Sequence, residues 1–219
     1  MPRRLSLALI GLSVLAFIGL ALWPQGDLAA ARLFWANGRF SGRGPVMDVV
    51  RLIAWYLPFV CLAGFAIAWA LARFGLIAAR FAPSGRSLAF LALSLALGPG
   101  LLVNSFLKEH SHRPRPVQTR DFGGDWTFKP LYKFDGQCRR NCSFVSGETA
   151  AAFWTLAPAS LAPAPWRPAA MAGALAFGAG VGLMRMAFGG HYLSDVIGAA
   201  LASLLVVAAT RRMLLGRKR

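Results

Sequence analysis

Acidic residues are scarce in this 219-residue chain: eight Asp and Glu stand against 24 Lys and Arg, and charged residues of either sign make up only 15%. So little charge excludes an ordinary soluble domain, in which roughly a quarter of residues are charged. Cysteine is also sparse, at three residues, and the His, Cys and carboxylate content offers too few ligands at metal spacing for a zinc site. Low-complexity linkers and internal repeats are missing as well, which leaves one membrane domain over 1–219. What the chain has instead is apolar length. Hydrophobic residues reach 57%, and the mean hydropathy is +0.53.

Six apolar runs cover 5–23, 49–74, 87–107, 147–164, 169–188 and 192–210. A helix needs about 20 residues to cross a hydrocarbon core of roughly 30 Å. Lipid offers no partner for an unpaired backbone amide, so helices are the economical form. The pattern predicts an all-α polytopic membrane protein with six transmembrane helices. The first run follows Arg3 and Arg4 as a signal peptide would. Its length, its end at Trp23-Pro24 and the lack of a small-residue cleavage motif predict a retained helix.

Charge orients the runs. With the N-terminus inside, the inner segments hold Arg3, Arg4, Arg73, Arg80, Arg86, Arg167, Arg211, Arg212, Arg217, Lys218 and Arg219, and none of the eight acids. Cytoplasmic loops carry such a surplus of Lys and Arg. An even number of helices then returns both termini to the cytoplasm. The outer side is the anomaly, because eight Lys and Arg lie from Lys108 to Arg140 and Arg185 adds another. Cations placed against the usual bias suggest an anionic ligand there. Basic residues split between two membrane faces argue against nucleic acid as the partner, while the inner set can attract anionic membrane lipids.

The outer loops carry the polar residues. Segment 24–48 mixes Leu28, Leu33, Phe34 and Trp35 with Arg32 and Arg39, which suits either a short interfacial helix or an irregular loop with aromatic anchors. Segment 108–146 is long, and its aromatics argue for ordered packing; an ordered loop of more than about 15 residues is commonly functional. Phe122, Trp126, Phe128 and Tyr132 read as loop core or interface anchors more readily than as substrate contacts. Cys138 and Cys142, four apart in this loop, can close a disulfide in an oxidising periplasm, with free thiols as the alternative. Cys61 reads as packing inside a helix. Glu109, His110 and His112 invite a metal reading, but a ligand set at metal spacing is missing.

Three clusters fall at the outer ends of the runs: Lys108 to Pro116, Ser143 to Glu148, and Arg185 to Asp195. His191 and Asp195 are four apart at a helix start and share a face. An aspartate that accepts the proton of one imidazole nitrogen fixes the tautomer and frees the other to attack. Gly189-Gly190 permits a sharp turn. Arg185 can clamp a phosphoryl oxygen, with Lys108 and Arg115 as further cations. Ser146 and Gly147 open a helix whose first amides make an anion site. Cations, amides and an oriented histidine together stabilise a phosphoryl group in transfer. Taken singly, His191 reads as an interfacial residue, Arg185 as a snorkelling cation and Asp195 as a helix-start charge; convergence favours a site.

These clusters resemble the type 2 phosphatidic acid phosphatases, whose site is shared with vanadium haloperoxidases. The family pattern has three parts: Lys-x6-Arg-Pro, Pro-Ser-Gly-His and Ser-Arg-x5-His-x3-Asp. Lys108 to Arg115-Pro116 matches the first in full. Arg185, His191 and Asp195 keep the spacing of the third, with Met184 in place of serine. The second departs at both ends, as Val145-Ser146-Gly147-Glu148. The resemblance, which runs from about 108 to 195, implies that Lys108, Arg115, Arg185, Ser146 and Gly147 bind phosphate. It implies that His191 forms a phosphohistidine, that Asp195 holds it, and that no metal or other cofactor takes part. Glu148 replaces the histidine that protonates the leaving oxygen. A carboxylic acid does this only if its pKa is raised, and cations push it the wrong way.

The implied substrate is a phosphorylated lipid, met on the periplasmic side of a bacterial inner membrane, with no protein partner. The stretch 141–148 resembles the branch that acts on lipid A, and the long basic, aromatic loop suits a large anionic headgroup. Undecaprenyl diphosphate or a glycerophospholipid is the alternative substrate, and a phosphotransferase would use the same site. A non-catalytic lipid-binding or transport protein is a further reading, in which Glu148 marks a lost activity.

Overall fold

A computed structural model describes residues 3–216; the tail Arg217, Lys218 and Arg219 and the side chains of Arg3 and Arg4, counted above among the inner charges, lie outside the described residues. Helix dominates. In chain order the α-helices are α1 Arg3–Leu22, α2 Gln25–Arg32, α3 Pro45–Arg73, α4 Gly85–Leu95, α5 Lys108–His110, α6 Gly147–Trp154, α7 Leu156–Ala159, α8 Arg167–Ala187 and α9 Leu193–Leu215. Strands β1 (Trp35–Ala36) and β2 (Arg39–Phe40) form one small antiparallel hairpin. α4 continues into α5 through the wider turns of Ala96–Leu107. Pro99 lies inside that stretch and has no N–H for a regular ladder. The side-chain amide of Asn104 donates to the Pro99 carbonyl at 2.8 Å, five residues back.

Local chemistry sets the helix ends. α3 opens on Pro45, where a missing N–H is harmless because the first turn has no partner for it. Ser84 caps α4 by accepting the Ser87 amide at 3.1 Å, and Ser146 caps α6 through the Thr149 amide at 3.4 Å. α9 opens with Asp195 in its first turn, where the helix dipole favours a negative charge.

Among the described residues, four helical stretches are long and apolar enough to cross a bilayer: Pro45–Arg73, Ala79–His110, Arg167–Ala187 and Leu193–Leu215. The bent pair Leu7–Leu22 and Gln25–Arg32, angled by 102°, makes a fifth if counted as one span. Hydropathy alone predicts six. The difference lies in run 147–164, where Thr155 interrupts the helix between α6 and α7 and Pro158 follows. At about 1.5 Å per residue, α6 and α7 together reach only about 20 Å, short of the hydrocarbon core. This broken element is also sheathed in protein. Gly147 and every residue from Thr149 to Trp154 is buried, packed chiefly by α8 and α9. Trp154 donates to Ser94 Oγ at 2.9 Å, which satisfies its indole inside the bundle. α3 is the opposite case. Only 6% of its most apolar stretch is covered by protein, and Leu52, Ile53, Tyr56 and Val60 are exposed, as a lipid-facing helix requires.

Segment 24–48 holds the short helix α2 and the β1–β2 hairpin. α2 turns Leu28 and Ala31 inward against Phe40, Phe122 and Tyr192. Its buried Asp27 reaches α9, accepting the Ser194 amide at 2.8 Å. Segment 108–146 packs over the same end of the bundle, and Cys138 and Cys142 are joined there as a disulfide.

Candidate active site

The ends of α3, α5, α6 and α8 nearest segment 108–146 surround a cavity of about 310 Å3, lined by Arg51, Leu52, Trp55, Asn104, Lys108, Arg115, Asn141, Glu148, Arg185 and His191. Four of these side chains are cationic and one is a carboxylate. The cavity therefore carries a surplus of three positive charges, which suits a phosphate.

His191 sits in the turn between α8 and α9. Gly189, with φ +66°, makes that turn in the left-handed region that glycine enters freely, and the ring of Phe40 lies where its side chain would be. A Cβ on Gly190 would stand 2.7 Å from Arg185 Nη2, so the second glycine leaves room for the guanidinium. His191 Nδ1 lies 2.7 Å from the carbonyl oxygen of Ser143. A carbonyl only accepts, so Nδ1 carries the proton and Nε2 keeps its lone pair. Burial, helped by the charges of Arg185 and Arg115 and opposed by Asp195, pushes the imidazole pKa down to about 4. The ring is neutral at pH 7.

Asp195, the partner expected from the four-residue spacing, lies 3.7 Å from Nδ1, beyond hydrogen-bond reach. Its oxygens serve others. Oδ2 accepts from Ser143 Oγ at 2.5 Å and from the Tyr192 amide at 2.8 Å, while Oδ1 takes Arg113 Nη1 at 2.6 Å. Asp195 thus holds Ser143, and Ser143 holds the imidazole. Arg113 is 1% exposed and also reaches Asp27 Oδ2 at 2.7 Å, Ser194 Oγ at 2.7 Å and the Lys129 carbonyl at 2.9 Å.

The predicted phosphate ligands divide into two groups. Lys108, Arg115 and Arg185 line the cavity. Arg115 is held from outside, since its Nη2 donates to both the carbonyl and the side-chain oxygen of Asn141 at 2.9 Å, within the disulfide loop. Arg185 Nε is buried without a hydrogen-bond partner among the described residues, with Glu148 Oε2 at 3.6 Å. Ser146 and Gly147 stand behind this lining. The Ser146 hydroxyl is shared with Thr149 Oγ1 at 2.7 Å, and Gly147 has no room for a side chain beside Asn104.

Glu148 lines the cavity, where it is paired with a residue outside the three sequence clusters. Arg51 of α3 donates from Nη2 to Oε1 at 2.6 Å and from Nε to Oε2 at 3.0 Å. An arginine one turn inside an apolar run was the available signal, because charge within a span is costly and marks function. Asn104, polar in the third run, carried the same signal. Ser143 and Arg113 had no spacing to identify them, only their place beside the motifs. His110 and His112 face apart: their Nδ1 atoms lie against different backbone carbonyls, Phe106 at 2.7 Å and Cys138 at 2.9 Å.

The PAP2 superfamily model matches residues 87–219, which span every predicted site residue. Three similar proteins bear the name lipid A 4'-phosphatase. That of Francisella tularensis subsp. novicida (strain U112) is 35% identical over 185 residues, 83% of each chain. That of Rhizobium leguminosarum is 39% identical over 203 residues, 85% of this chain and 86% of the relative. That of Rhizobium etli (strain ATCC 51251 / DSM 11541 / JCM 21823 / NBRC 15573 / CFN 42) is 42% identical over 203 residues, 85% of this chain and 78% of the relative. No solved structure matches the chain.

Proposed function

Because the chain belongs to the PAP2 superfamily, we propose that it is a bacterial membrane lipid phosphatase that removes the 4'-phosphate of lipid A through a phosphohistidine on His191. The observation that carries this reading is the imidazole itself: Nδ1–H is spent on the Ser143 carbonyl, and the ring lines a cavity with Lys108, Arg115 and Arg185. Nε2 attacks phosphorus while those cations hold the three equatorial oxygens. Glu148 gives a proton to the leaving sugar oxygen, then takes one from the water that hydrolyses the N–P bond. Ser143 and Asp195 keep the ring in its attacking tautomer. The Ser146–Gly147 helix start adds a favourable dipole behind the phosphate.

The substrate class follows from the walls of the cavity. Leu52 and Trp55 form its α3 side, and α3 itself faces lipid, so an amphiphile can keep its acyl chains in the bilayer while its phosphate enters. The three relatives named for lipid A support the headgroup. We place the protein in the inner membrane, with the cavity toward the periplasm and both termini in the cytoplasm; α6 and α7, though too short to span by length, still carry the chain from the cavity to Ser160, which accepts from Arg211 Nη1 at 2.7 Å at the opposite end. The basis is Arg73, Arg80, Arg86, Arg167, Arg211 and Arg212 at the opposite end, where the sequence has no acid.

The test is phosphate release by purified protein in detergent with chelator, from lipid A, undecaprenyl diphosphate, phosphatidylglycerol phosphate and phosphatidate. Mass spectrometry of the lipid A product locates the lost group. Release that survives chelation, removes the 4'-phosphate and disappears in His191→Ala is the expected result. Release that persists in His191→Ala would remove the phosphohistidine from the mechanism.

A further inference from the structure

Arg51 stands apart from the other cations of the cavity. It comes from α3, the helix least covered by protein, and is spaced from no motif. Yet it makes the site's most complete ion pair, with both Glu148 oxygens. The Phe188 ring brings Arg51 and Arg185 together, their guanidinium carbons 5.9 Å and 5.6 Å from its centroid. Both guanidinium groups also face Glu148 Oε2, at 3.0 Å and 3.6 Å. Glu148 is thus the anion on which cations from α3 and α8 converge, beside His191, Lys108 and Arg115 in the same lining. A phosphate entering there brings oxygens with the same charge and the same appetite for a bidentate guanidinium.

We infer that Arg51 is a fourth phosphate-binding cation, one that holds Glu148 as a carboxylate in this structure and transfers to the substrate phosphate when it enters the cavity. The inference rests on the phosphohistidine reading above and supplies what that reading lacks, a way for a paired carboxylate to become an acid. The substrate binds as the monoanion, R–O–PO3H−. Arg51 moves from the carboxylate to the phosphate, and the phosphate O–H proton passes to Glu148, no longer held ionised. Nε2 then forms the N–P bond as the P–O bond to the sugar breaks, and the sugar oxygen leaves with the Glu148 proton. Water next adds its oxygen to phosphorus and a proton to Glu148, and the N–P bond breaks. Inorganic phosphate departs with that proton, and Arg51 returns to the carboxylate. Arg51 is therefore catalytic in the strict sense, since it touches the reacting group.

Two substrates separate this role from a structural tie between α3 and α6. One is lipid A, whose sugar oxygen must be protonated as it leaves. The other is an amphiphilic nitrophenyl phosphate, whose leaving oxygen needs no acid. Glu148→Gln is expected to lose about a hundredfold or more on lipid A and little on the aryl phosphate. Arg51→Gln is expected to lose roughly ten- to a hundredfold on both, the range for a hydrogen bond to a charged group, and on lipid A the double variant should fall below either single variant. Arg51→Lys, which keeps the charge without the fork, should recover part of the loss and serves if Arg51→Gln does not fold.

Loss by Arg51→Gln on lipid A alone, with no further loss in the double variant, would reduce Arg51 to a holder of Glu148 and overturn the inference. Unchanged rates on both substrates would do the same. His191→Ala is run alongside, and its failure to abolish turnover would count against the phosphohistidine reading instead.

Discussion

At the scale of single residues, the chemistry depends on where one proton sits. His191 is neutral because burial removes the water that would stabilise an imidazolium, and Arg185 and Arg115 add repulsion; together they bring its pKa from the ordinary 6.5 to about 4. The folded chain therefore binds fewer protons at this residue than the unfolded chain between those two values. Its contribution to stability is fully present above pH 6.5 and is lost as the pH falls toward 4. A ring-proton NMR titration can check this in a chain with only three histidines, with His191→Gln to assign the signal. The expected midpoint is near 4; a midpoint near 6.5 would mean that water reaches the ring. The residues that made His191 a candidate were readable because Arg185, His191 and Asp195 lie close in one stretch of chain. Ser143, which binds the imidazole, was not readable in that role. It acts through its backbone carbonyl, which any residue type would supply, and only its hydroxyl contact with Asp195 is specific to serine. Arg51 escaped for a different reason, since nothing along the chain links it to Glu148, 97 residues away.

Among the elements, the loop closed by Cys138 and Cys142 gives the clearest case of structure serving the site from outside. Asn141 lies within it at φ +52°, a conformation that asparagine tolerates better than most residues, and presents two oxygens to Arg115. The disulfide confines that presentation. Cys138→Ser with Cys142→Ser should therefore weaken substrate binding through a freer Arg115, with KM rising severalfold and kcat changing less. Steady-state kinetics of the double variant, and of the parent chain before and after reduction, would read this directly. Equal losses in both constants would instead point to collapse of the loop. Hydropathy located the apolar elements well, and α3, α8 and α9 lie close to their predicted runs. It could not foresee that run 147–164 would be broken and enclosed, because a window average cannot tell an apolar helix that faces lipid from one that faces other helices. Thr155 and Pro158 gave a hint of the break. The small residues that admit it, Gly178 against Phe153 and Gly182 against Val196, acquire meaning only once the helices are packed.

Across the whole molecule, three segments far apart in sequence meet on one guanidinium. Asp27 from α2, Arg113 from the long segment 108–146 and Asp195 from α9 are each at most 1% exposed, and together they carry a net charge of −1. The arrangement ties segment 24–48 to the end of the bundle and fixes Asp195, which fixes Ser143 and so the imidazole. Removing Arg113 would leave two carboxylates buried close together with no counter-charge. Breaking a buried ion pair from one side costs about 3–5 kcal/mol, a large share of the stability of a typical fold. Arg113→Met should therefore lower the Tm sharply in detergent and abolish turnover, even though Arg113 lies behind the cavity. Asp27→Asn should be milder, because Arg113 keeps Asp195 and the amide can still accept one of the bonds now made by Ser194. The decisive comparison is the double variant. If the penalty of Arg113→Met is charge stranded in the interior, adding Asp27→Asn removes one of the two stranded carboxylates and should restore part of the lost Tm, a coupling that independent sites would not show. If the two losses simply add, Arg113 supports the fold by packing over Tyr192, 4.5 Å from that ring, and its charge is incidental.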